Sequence, residues 1–412
     1  MKLSINKLYI SLILLCLTSF LGMYKFLPLS GALYSVDMMY IYLLAFTFIW
    51  LFVSKTKYIH KWGANPTTKE ILKLTYFIIF FMLIEVIISN YRYKQGLANV
   101  IKESMYYLIF AIVVIAICNM KLEKTISLEW FCKKIVLLSI FCSTFAIILF
   151  SLYTYFGLNP LQLSVENIRN GTIRFGIGSN LVVIALIISL SNMMNEGLNK
   201  TDLSNMILGI VQLYFINKTR SVILYLIIVF CYMILNTRKT NKIVKIVVYF
   251  TVFASIFLLI FGNSSFGYRI EGYINADYGL MARVEAIQFY FSQFLKHPLF
   301  GMGFISTKKT LSGWNLLYGD SGIYYRGDVG VIGLLNAYGI VGFIWSCLFL
   351  KRIYNSAVDN TTYSLSLKFI VIYFVISWAN LSFMDAERLL YMIIPVMMSI
   401  LISNNINIRS RS

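Results

Sequence analysis

Three charged residues stand directly before a long apolar run in GDSGIYYRGDVGVIGLLNAYGIVGF, residues 319–343. They are Asp320, Arg326 and Asp328. A charge at the centre of a membrane costs about 2.5 to 3.5 kcal/mol on insertion scales, so charges at the mouth of a span are candidates for function. Asp328 can act as a general base, and Arg326 can bind an anion through its planar fork. The alternative for Asp328 is structural, because an acid that begins a helix complements the helix dipole.

Other arginines also lie beside the ends of apolar runs. A guanidinium group binds two phosphate oxygens at once, which makes these residues candidates for phosphate binding. Arg220 has no acidic residue in its own connecting segment, which favours a ligand over an ion pair, although a partner from another segment is the alternative. The candidates of this kind are Arg169, Arg174, Arg220, Arg269 and Arg283.

A long polar segment, residues 263–326, contains ARVEAIQFYFSQFLKHPLF at 282–300. Its apolar residues recur at helical spacing, which predicts an amphipathic helix on a membrane surface that stops at Pro298. Arg283 aligns with Ile287 and Tyr290 and is therefore predicted to point at the membrane domain. The apolar face comprises Val284, Ile287, Phe291 and Phe294, and the polar face comprises Glu285, Gln288, Ser292 and Lys296.

His297 and the glycines of GMGF follow this helix. His297 is a candidate substrate contact or base, but its position beside Pro298 favours the alternative that it caps the helix C-terminus. The glycines of residues 301–304 allow a tight turn or a close approach of the backbone to substrate.

These residues must be positioned by membrane-spanning helices. The chain has 412 residues, of which 59% are hydrophobic and 13% charged, and its mean hydropathy is +0.76. Apolar runs of spanning length recur throughout, so we predict an all-α integral membrane protein with about 12 transmembrane helices in one polytopic domain, 1–412. The first run is predicted to be an uncleaved span. The predicted spans are 8–27, 36–54, 71–90, 104–120, 135–156, 178–194, 204–217, 221–236, 246–262, 328–350, 366–382 and 388–404.

The distribution of positive charge predicts the orientation. On this segmentation 17 of 24 lysines lie on the side of the termini, so both termini are predicted to be cytoplasmic. Arginine departs from this rule, because 8 of 12 arginines lie on the outer side. Topology does not distinguish arginine from lysine, and the excess indicates that guanidinium groups are needed outside. The segment 263–326 is then one large external loop, while the assignment of 204–217 is the weakest because this run is short and contains Gln212.

Several classes of function are disfavoured. The formal net charge is +19, but no basic tract has the density of a nucleic-acid site, so no nucleic-acid partner is expected. The six cysteines lie in or beside apolar runs, which predicts no disulfide framework and no metal site. The sequence lacks a P-loop, HExxH, a CxxC pair and a DxD motif, so no metal, nucleotide or other cofactor is expected.

The chain resembles the Wzy O-antigen and capsule polymerases of the O-antigen ligase/polymerase superfamily. The resemblance is carried by the polytopic plan with one large late loop and by NGTIRFGIGSN, NKTRSVILYL, LKHPLFGMGF and GDVGVIGLLNAYGIVGF. It implies a metal-independent glycosyltransferase in the bacterial cytoplasmic (inner) membrane that joins oligosaccharide units linked to undecaprenyl diphosphate. Ligases of the superfamily are thought to use a histidine near the end of the large loop, where this sequence has Asp328.

The residues and the resemblance together suggest one mechanism. Asp328 would accept the hydroxyl proton, and Arg220 and Arg283 would hold the leaving diphosphate. The further substrate-binding candidates are Arg174, Arg269, Arg326, Arg169 and His297. The implied partners are lipid-linked oligosaccharides, membrane lipids, and flippase and chain-length regulator proteins. A lipid-linked oligosaccharide flippase and an O-antigen-type ligase remain as alternatives.

Overall fold

A computed structural model describes most of the chain, and it is helical almost throughout. Besides helices, the described residues form one short antiparallel pair of strands, β1 (Ile168–Arg169) and β2 (Thr172–Ile173). The described residues are 5–18, 36–54, 65–120, 126–158, 168–169, 172–173, 178–217, 219–236, 246, 278–311, 313–358, 361–382 and 384–409.

Fourteen α-helices are formed by these ranges. Short 3₁₀ segments precede two of them, at Arg326–Val329 and Leu390–Met392, and a π-helix at Gln212–Ile216 follows another. The α-helices are α1 (Ile5–Thr18), α2 (Val36–Val53), α3 (Pro66–Tyr93), α4 (Leu97–Asn119), α5 (Leu128–Phe156), α6 (Ser179–Glu196), α7 (Lys200–Val211), α8 (Arg220–Asn236), α9 (Tyr278–Lys296), α10 (Trp314–Tyr318), α11 (Gly330–Ser356), α12 (Thr362–Ser377), α13 (Ala386–Leu389) and α14 (Ile393–Arg409).

Five segments are long and apolar enough to cross a membrane, namely α3, α4, α5, α6 and Arg326–Ser356. Five shorter apolar helices accompany them. The predicted all-helical class is confirmed, and the fold is consistent with a helical membrane protein. The predicted spans at 8–27 and 246–262 lie partly or almost wholly outside the described residues. One hydrophobic core extends from Tyr9 to Ile402.

Local sequence signals determine where several helices begin and end. Asn65 caps α3 by accepting a hydrogen bond from the backbone N–H of Thr67 at 2.9 Å, and Pro66 occupies the first helical position, where its missing N–H costs nothing. Ser127 caps α5 by accepting from the N–H of Trp130 at 3.1 Å. Gly157 ends α5 in the left-handed region.

Hydrogen bonds between distant residues show which helix ends lie together. Residues 297–311 lie at the end of the bundle where α3 terminates, and we call this end the loop end. The other end is the opposite end. Bonds at the loop end join Tyr93 to Met302 (2.9 Å), Tyr40 to Ala386 (2.8 Å), Tyr225 to Asn380 (2.6 Å) and Tyr391 to Leu17 (3.1 Å). Bonds at the opposite end join Asn65 to Asn404 (2.8 Å) and Ser191 to Thr362 (2.9 Å).

The helix α11 is broken at Gly339, where φ is 63° and ψ is −164°. The break leaves backbone N–H and C=O groups inside the bundle without hydrogen-bond partners in the helix. Residues 298–303 form hydrogen bonds with these groups. Met302 and Gly303 donate to the carbonyls of Asn336 and Ala337 at 2.7 and 2.8 Å. In return Ile340 and Val341 donate to the carbonyls of Pro298 and Leu299 at 2.8 and 3.2 Å. The loop is therefore inserted into the helix, because irregular backbone at this depth needs protein partners.

The amphipathic helix predicted over 282–300 is present as α9, and it ends two residues before Pro298. The assignment of its faces differs from the prediction. The face that packs against the protein consists of Ala286, Tyr290 and Gln293, each less than 8% exposed. Of the stripe predicted from spacing, Val284, Ile287 and Phe291 are 40–47% exposed and face outward, whereas Phe294 is 9% exposed and is buried with the packed face. The helix therefore has three faces, one packed against the protein, one apolar and exposed, and one polar, where two were predicted.

The weakest predicted span, 204–217, is helical as α7 and the π-helix that continues it. Gln212 begins the π-helix and is fully buried. The segment packs against α5 and α6, so residues 200–216 run through the bundle and α8 starts at the loop end.

Candidate functional site

A cleft of about 230 Å³ opens at the loop end of the bundle. It lies between α4, the inserted loop, the 3₁₀ turn before α11 and the turn before α13. Six of its fourteen lining residues are aromatic, and three are charged. Its lining residues are Glu103, Tyr106, Tyr107, Phe304, Ile305, Thr307, Leu317, Tyr318, Tyr325, Arg326, Gly327, Tyr338, Asp385 and Ala386.

Arg326 supplies the cation of the cleft. It begins the 3₁₀ turn Arg326–Val329 and is half-buried. Its Nη1 atom is buried and has no hydrogen-bond partner among the residues that the structure describes. A buried donor without a partner costs about 1 to 3 kcal/mol or more when charged, so this guanidinium is poised to accept an anionic ligand.

Asp385 supplies a carboxyl to the same cleft, and Glu103 supplies a second one. Burial raises the pKa of Asp385, Arg388 lowers it, Asp328 raises it and Arg326 lowers it. Glu103 accepts hydrogen bonds from the N–H and hydroxyl of Thr307, both at 3.2 Å, and thereby tethers the inserted loop. Asp385 is therefore the carboxyl of the cleft that is suited to proton transfer.

Three aromatic side chains meet at the inner wall. The ring centroids of Tyr107 and Phe304 lie 5.7 Å apart, and those of Phe304 and Tyr338 lie 6.0 Å apart. Tyr338 and Tyr107 share a hydrogen bond, and Tyr107 donates to the carbonyl of Met384 at 2.8 Å. This chain joins α4, α11 and the segment before Asp385, so the wall is fixed from three sides.

The inserted loop brings Phe304 and Ile305 to the cleft. Ser89 accepts a hydrogen bond from the N–H of Phe304 at 2.9 Å, and Gln95 donates to the carbonyl of Phe304 at 2.6 Å. A methyl group at Gly303 would overlap Ser89 and Glu85. The predicted close approach at GMGF is thus an approach of the backbone to α3.

The three other described candidates do not line the cleft. Asp328 is half-buried in the first turn of the 3₁₀ segment that leads into α11, where its charge can complement the helix dipole, although no side chain caps the start of α11. Arg283 is exposed near the start of α9, and Tyr225 of α8 lies within range of its charge. Burial lowers the pKa of His297, with Arg92 and Lys296 adding to the effect. The backbone carbonyl of His297 accepts from the N–H of Gly301 at 2.8 Å.

The remaining arginine candidates have undescribed side chains. Arg174 and Arg269 lie outside the described residues. The backbone of Arg169 is in β1, and that of Arg220 begins α8 at the loop end. The structure therefore brings Arg326 together with Asp385, and it places Arg283 and the start of α8 near the same end.

Comparisons with protein-family models and with curated proteins found no match for this chain. In the part of the chain that the structure describes, no group of three or more His, Cys, Asp or Glu side chains is placed to hold a metal ion.

Two features of the cleft were not singled out from the sequence. Asp385 is one of a few acidic residues in segments between apolar runs, but nothing in SFMDAERLL marks it above Glu387. Tyr107 and Tyr338 lie inside apolar runs, where tyrosine is ordinary. A signal existed in the YGIVG pattern after Tyr338, since a glycine pair within a span indicates a break or a close contact.

Proposed function

We propose that the chain is a polysaccharide polymerase that joins oligosaccharide repeat units carried on undecaprenyl diphosphate. The observation that supports this most is Arg326 beside Asp385 in a cleft at the end of a helical bundle, since Nη1 of Arg326 has no hydrogen-bond partner in the described part of the chain. The guanidinium suits a diphosphate, the carboxyl suits a hydroxyl proton, and tyrosine offers an apolar face with a polar tip. A lipid-linked donor and acceptor would reach such a cleft from the membrane.

The reaction proposed for this cleft is a glycosyl transfer. The acceptor hydroxyl oxygen bonds to the anomeric carbon of the donor, and the bond from that carbon to the diphosphate oxygen breaks. The hydroxyl proton goes to a carboxylate, and undecaprenyl diphosphate leaves with the bonding electrons. Arg326 binds the negative charge that develops on the leaving group, an interaction typically worth about 3 to 4 kcal/mol per preorganised donor.

Two carboxylates compete for the role of base. Asp385 lines the cleft, whereas Asp328 lies two residues after Arg326 in the same 3₁₀ turn and close enough to act on Asp385 electrostatically. We assign proton transfer to Asp385 and electrostatic tuning to Asp328. Arg283 and Arg220, near the start of α8, would hold the second lipid diphosphate or the growing chain, and Arg169, Arg174 and Arg269 are further candidates for this role.

The proposal places the protein in the bacterial cytoplasmic membrane with about 12 spans, both termini in the cytoplasm and the loop end outside. The alternating directions of the described helices support it, and so does the lysine distribution. A reaction outside the cytoplasm has no nucleotide sugar available as donor. A diphosphate-linked donor needs none, because it already carries its leaving group.

The test uses purified full-length protein and the lipid-linked repeat unit isolated from the cells that make it. We expect a ladder of multimers from this single substrate. Arg326→Lys keeps the charge but loses the planar fork, so elongation should fall by about 10² to 10³. Asp385→Asn should lower it by about 10² to 10⁴.

Two substitutions serve as matched controls. Arg352→Lys changes a half-buried arginine in the part of α11 that lies away from the cleft, and Asp320→Asn changes an exposed acid near the cleft. Both should leave the ladder intact. A flippase would move the lipid-linked unit without lengthening it, and a ligase would need a separate acceptor, so the absence of any multimer would rule out the proposal. Normal ladders from both cleft variants would remove Arg326 and Asp385 from the reaction.

A further inference from the structure

A group of buried polar side chains lies at the opposite end of the bundle, between α6 and α7 and far from the cleft. Asp202 is 5% exposed, and Ser189 and Asn205 are 0% exposed. Asn205 donates through Nδ2 to the hydroxyl of Ser189 at 3.0 Å, and Ser189 contacts the carboxylate of Asp202. Asn192 reaches the same carboxylate from α6. These four side chains form what we call the α6–α7 cluster.

The α6–α7 cluster has more hydrogen-bond acceptors than the protein satisfies. The buried amide oxygen Oδ1 of Asn205 has no hydrogen-bond partner within the described residues. Buried polar atoms in proteins are almost always paired, and an unpaired one costs about 1 to 3 kcal/mol. An unpaired buried oxygen in the same cluster as a carboxylate favours a positive partner.

The spacing within the cluster also suits a cation. The terminal nitrogen of the Asn192 amide lies 3.3 and 3.5 Å from the two Asp202 oxygens, which is long for a hydrogen bond. Rotation of the amide by a half-turn places its oxygen at nearly the same point, since the two ends of the group have the same shape. Oxygen atoms that share a cation at roughly 2.4 Å lie about 3.4 Å apart, which matches these spacings.

The charge of the ligands selects the kind of cation. Asp202 contributes one negative charge, and the other ligands, two amide oxygens and a hydroxyl, are neutral. A net charge in a buried site is costly, so one carboxylate is matched by one positive charge. Oxygen ligands without sulfur or imidazole favour a hard ion. Lys133 does not fill this role, because it pairs with Glu129 at 2.6 Å.

We propose that the α6–α7 cluster binds a monovalent metal cation, held by Asp202, Asn192, Asn205 and Ser189, that fixes the hairpin of α6 and α7. The site is separate from the cleft and does not depend on the proposed glycan transfer. Bound at the turn between the two helices, the cation stabilises the folded protein because it binds the unfolded chain far more weakly.

The test measures thermal unfolding of the purified full-length protein in detergent by tryptophan fluorescence. Sodium or potassium chloride replaces N-methyl-D-glucamine chloride at constant ionic strength and pH. The unfolding midpoint should rise with cation concentration by on the order of several degrees. Asp202→Asn should abolish this dependence. Glu129→Gln removes an exposed acid at the same end of the bundle and should retain it.

A direct measurement covers the case in which Asp202→Asn does not fold. Wild-type protein should bind radioactive ²²Na⁺ saturably, at about one ion per chain, in competition with unlabelled monovalent cation and not with N-methyl-D-glucamine. No saturable binding together with no cation-specific midpoint shift would overturn the site. A response to Ca²⁺ or Mg²⁺ alone would overturn its monovalent character, and equal loss in Glu129→Gln would reduce the effect to surface charge.

Discussion

At the scale of residues, the protonation of Asp385 is set by its neighbours in opposite directions. Burial and the Asp328 charge raise the pKa of Asp385, whereas Arg388 and Arg326 lower it. A base must be ionised to accept a proton, so activity falls as the pH falls through this pKa. The acid limb of the pH–rate profile therefore reports on Asp385 and on the charges around it.

Two neutralising substitutions should move this limb in opposite directions. Arg388→Gln removes a cation that favours the carboxylate, so the pKa of Asp385 rises and the acid limb moves to higher pH. Asp328→Asn removes an anion that disfavours the carboxylate, so the limb moves to lower pH. The measurement is the initial rate of multimer formation against pH for the two variants and the wild type.

The exposed acid of Asp320 provides the control, because Asp320→Asn should leave the limb in place. A complete loss of elongation in Asp328→Asn, with no measurable limb, would instead identify Asp328 as the base. Shifts of both variants in one direction would show that the limb does not arise from Asp385.

The sequence identified part of this site. Arg326 and Asp328 stand out because two charges before an apolar run need an explanation. Asp385 does not stand out, since its place beside Arg326 depends on the folding of the turn after α12 against the start of α11. Val331 donates to the carbonyl of Trp378 at 3.0 Å, a contact between residues 47 positions apart that no local pattern contains.

At the scale of elements, the break in α11 and the inserted loop form one unit. The glycines on each side allow the two backbones to approach. A methyl group at Gly339 would overlap the carbonyl of Leu299, and one at Gly301 would lie 2.6 Å from the carbonyl of Asn336. Because Phe304 extends from this loop into the aromatic wall, the break also positions the cleft.

Gly339→Ala should therefore be far more harmful than an alanine at an unobstructed glycine. It combines a left-handed backbone with overlap against backbone atoms, which cannot move as a side chain can, so the free energy of unfolding should fall by more than about 3 kcal/mol. Gly157 also has a left-handed φ of 65°, but nothing lies within 4 Å of its added methyl group. Gly157→Ala should cost about 1 kcal/mol.

The measurement for this pair is the thermal unfolding midpoint of each purified variant, together with its elongation rate. A large loss of stability and activity in Gly339→Ala, with a small loss in Gly157→Ala, is the expected result. Similar midpoints would mean that the left-handed conformation alone matters and that the loop tolerates displacement.

The elements were predictable to different degrees. Spans such as α3 and α5 follow from long apolar runs with capping residues at their starts. The faces of α9 were not predictable, because its outward stripe of Val284, Ile287 and Phe291 is as apolar as a packed face. Spacing identifies an apolar face, but it does not distinguish the protein from lipid as the neighbour.

At the scale of the whole molecule, the bundle separates two regions of different composition. The loop end holds the cleft with Arg326, and the opposite end holds the α6–α7 cluster and the caps of α3 and α5. The described helices alternate in direction, as the bonds at their ends show. The proposed reaction requires the loop end to face outward, because the lipid-linked units are joined outside the cytoplasm.

Impermeant labelling of single cysteines would settle this orientation. The protein for this test has its six native cysteines replaced by serine and one new cysteine, either Gln288→Cys on the polar face of α9 or Thr361→Cys before α12. Both positions are exposed, and they lie at opposite ends of the bundle. We expect a charged maleimide to label position 288 in intact cells and position 361 only after the cells are opened.

Equal labelling of both positions in opened cells is the control for reactivity. The reverse pattern would place the cleft in the cytoplasm, where undecaprenyl-linked units are not joined, and the polymerase proposal would fail.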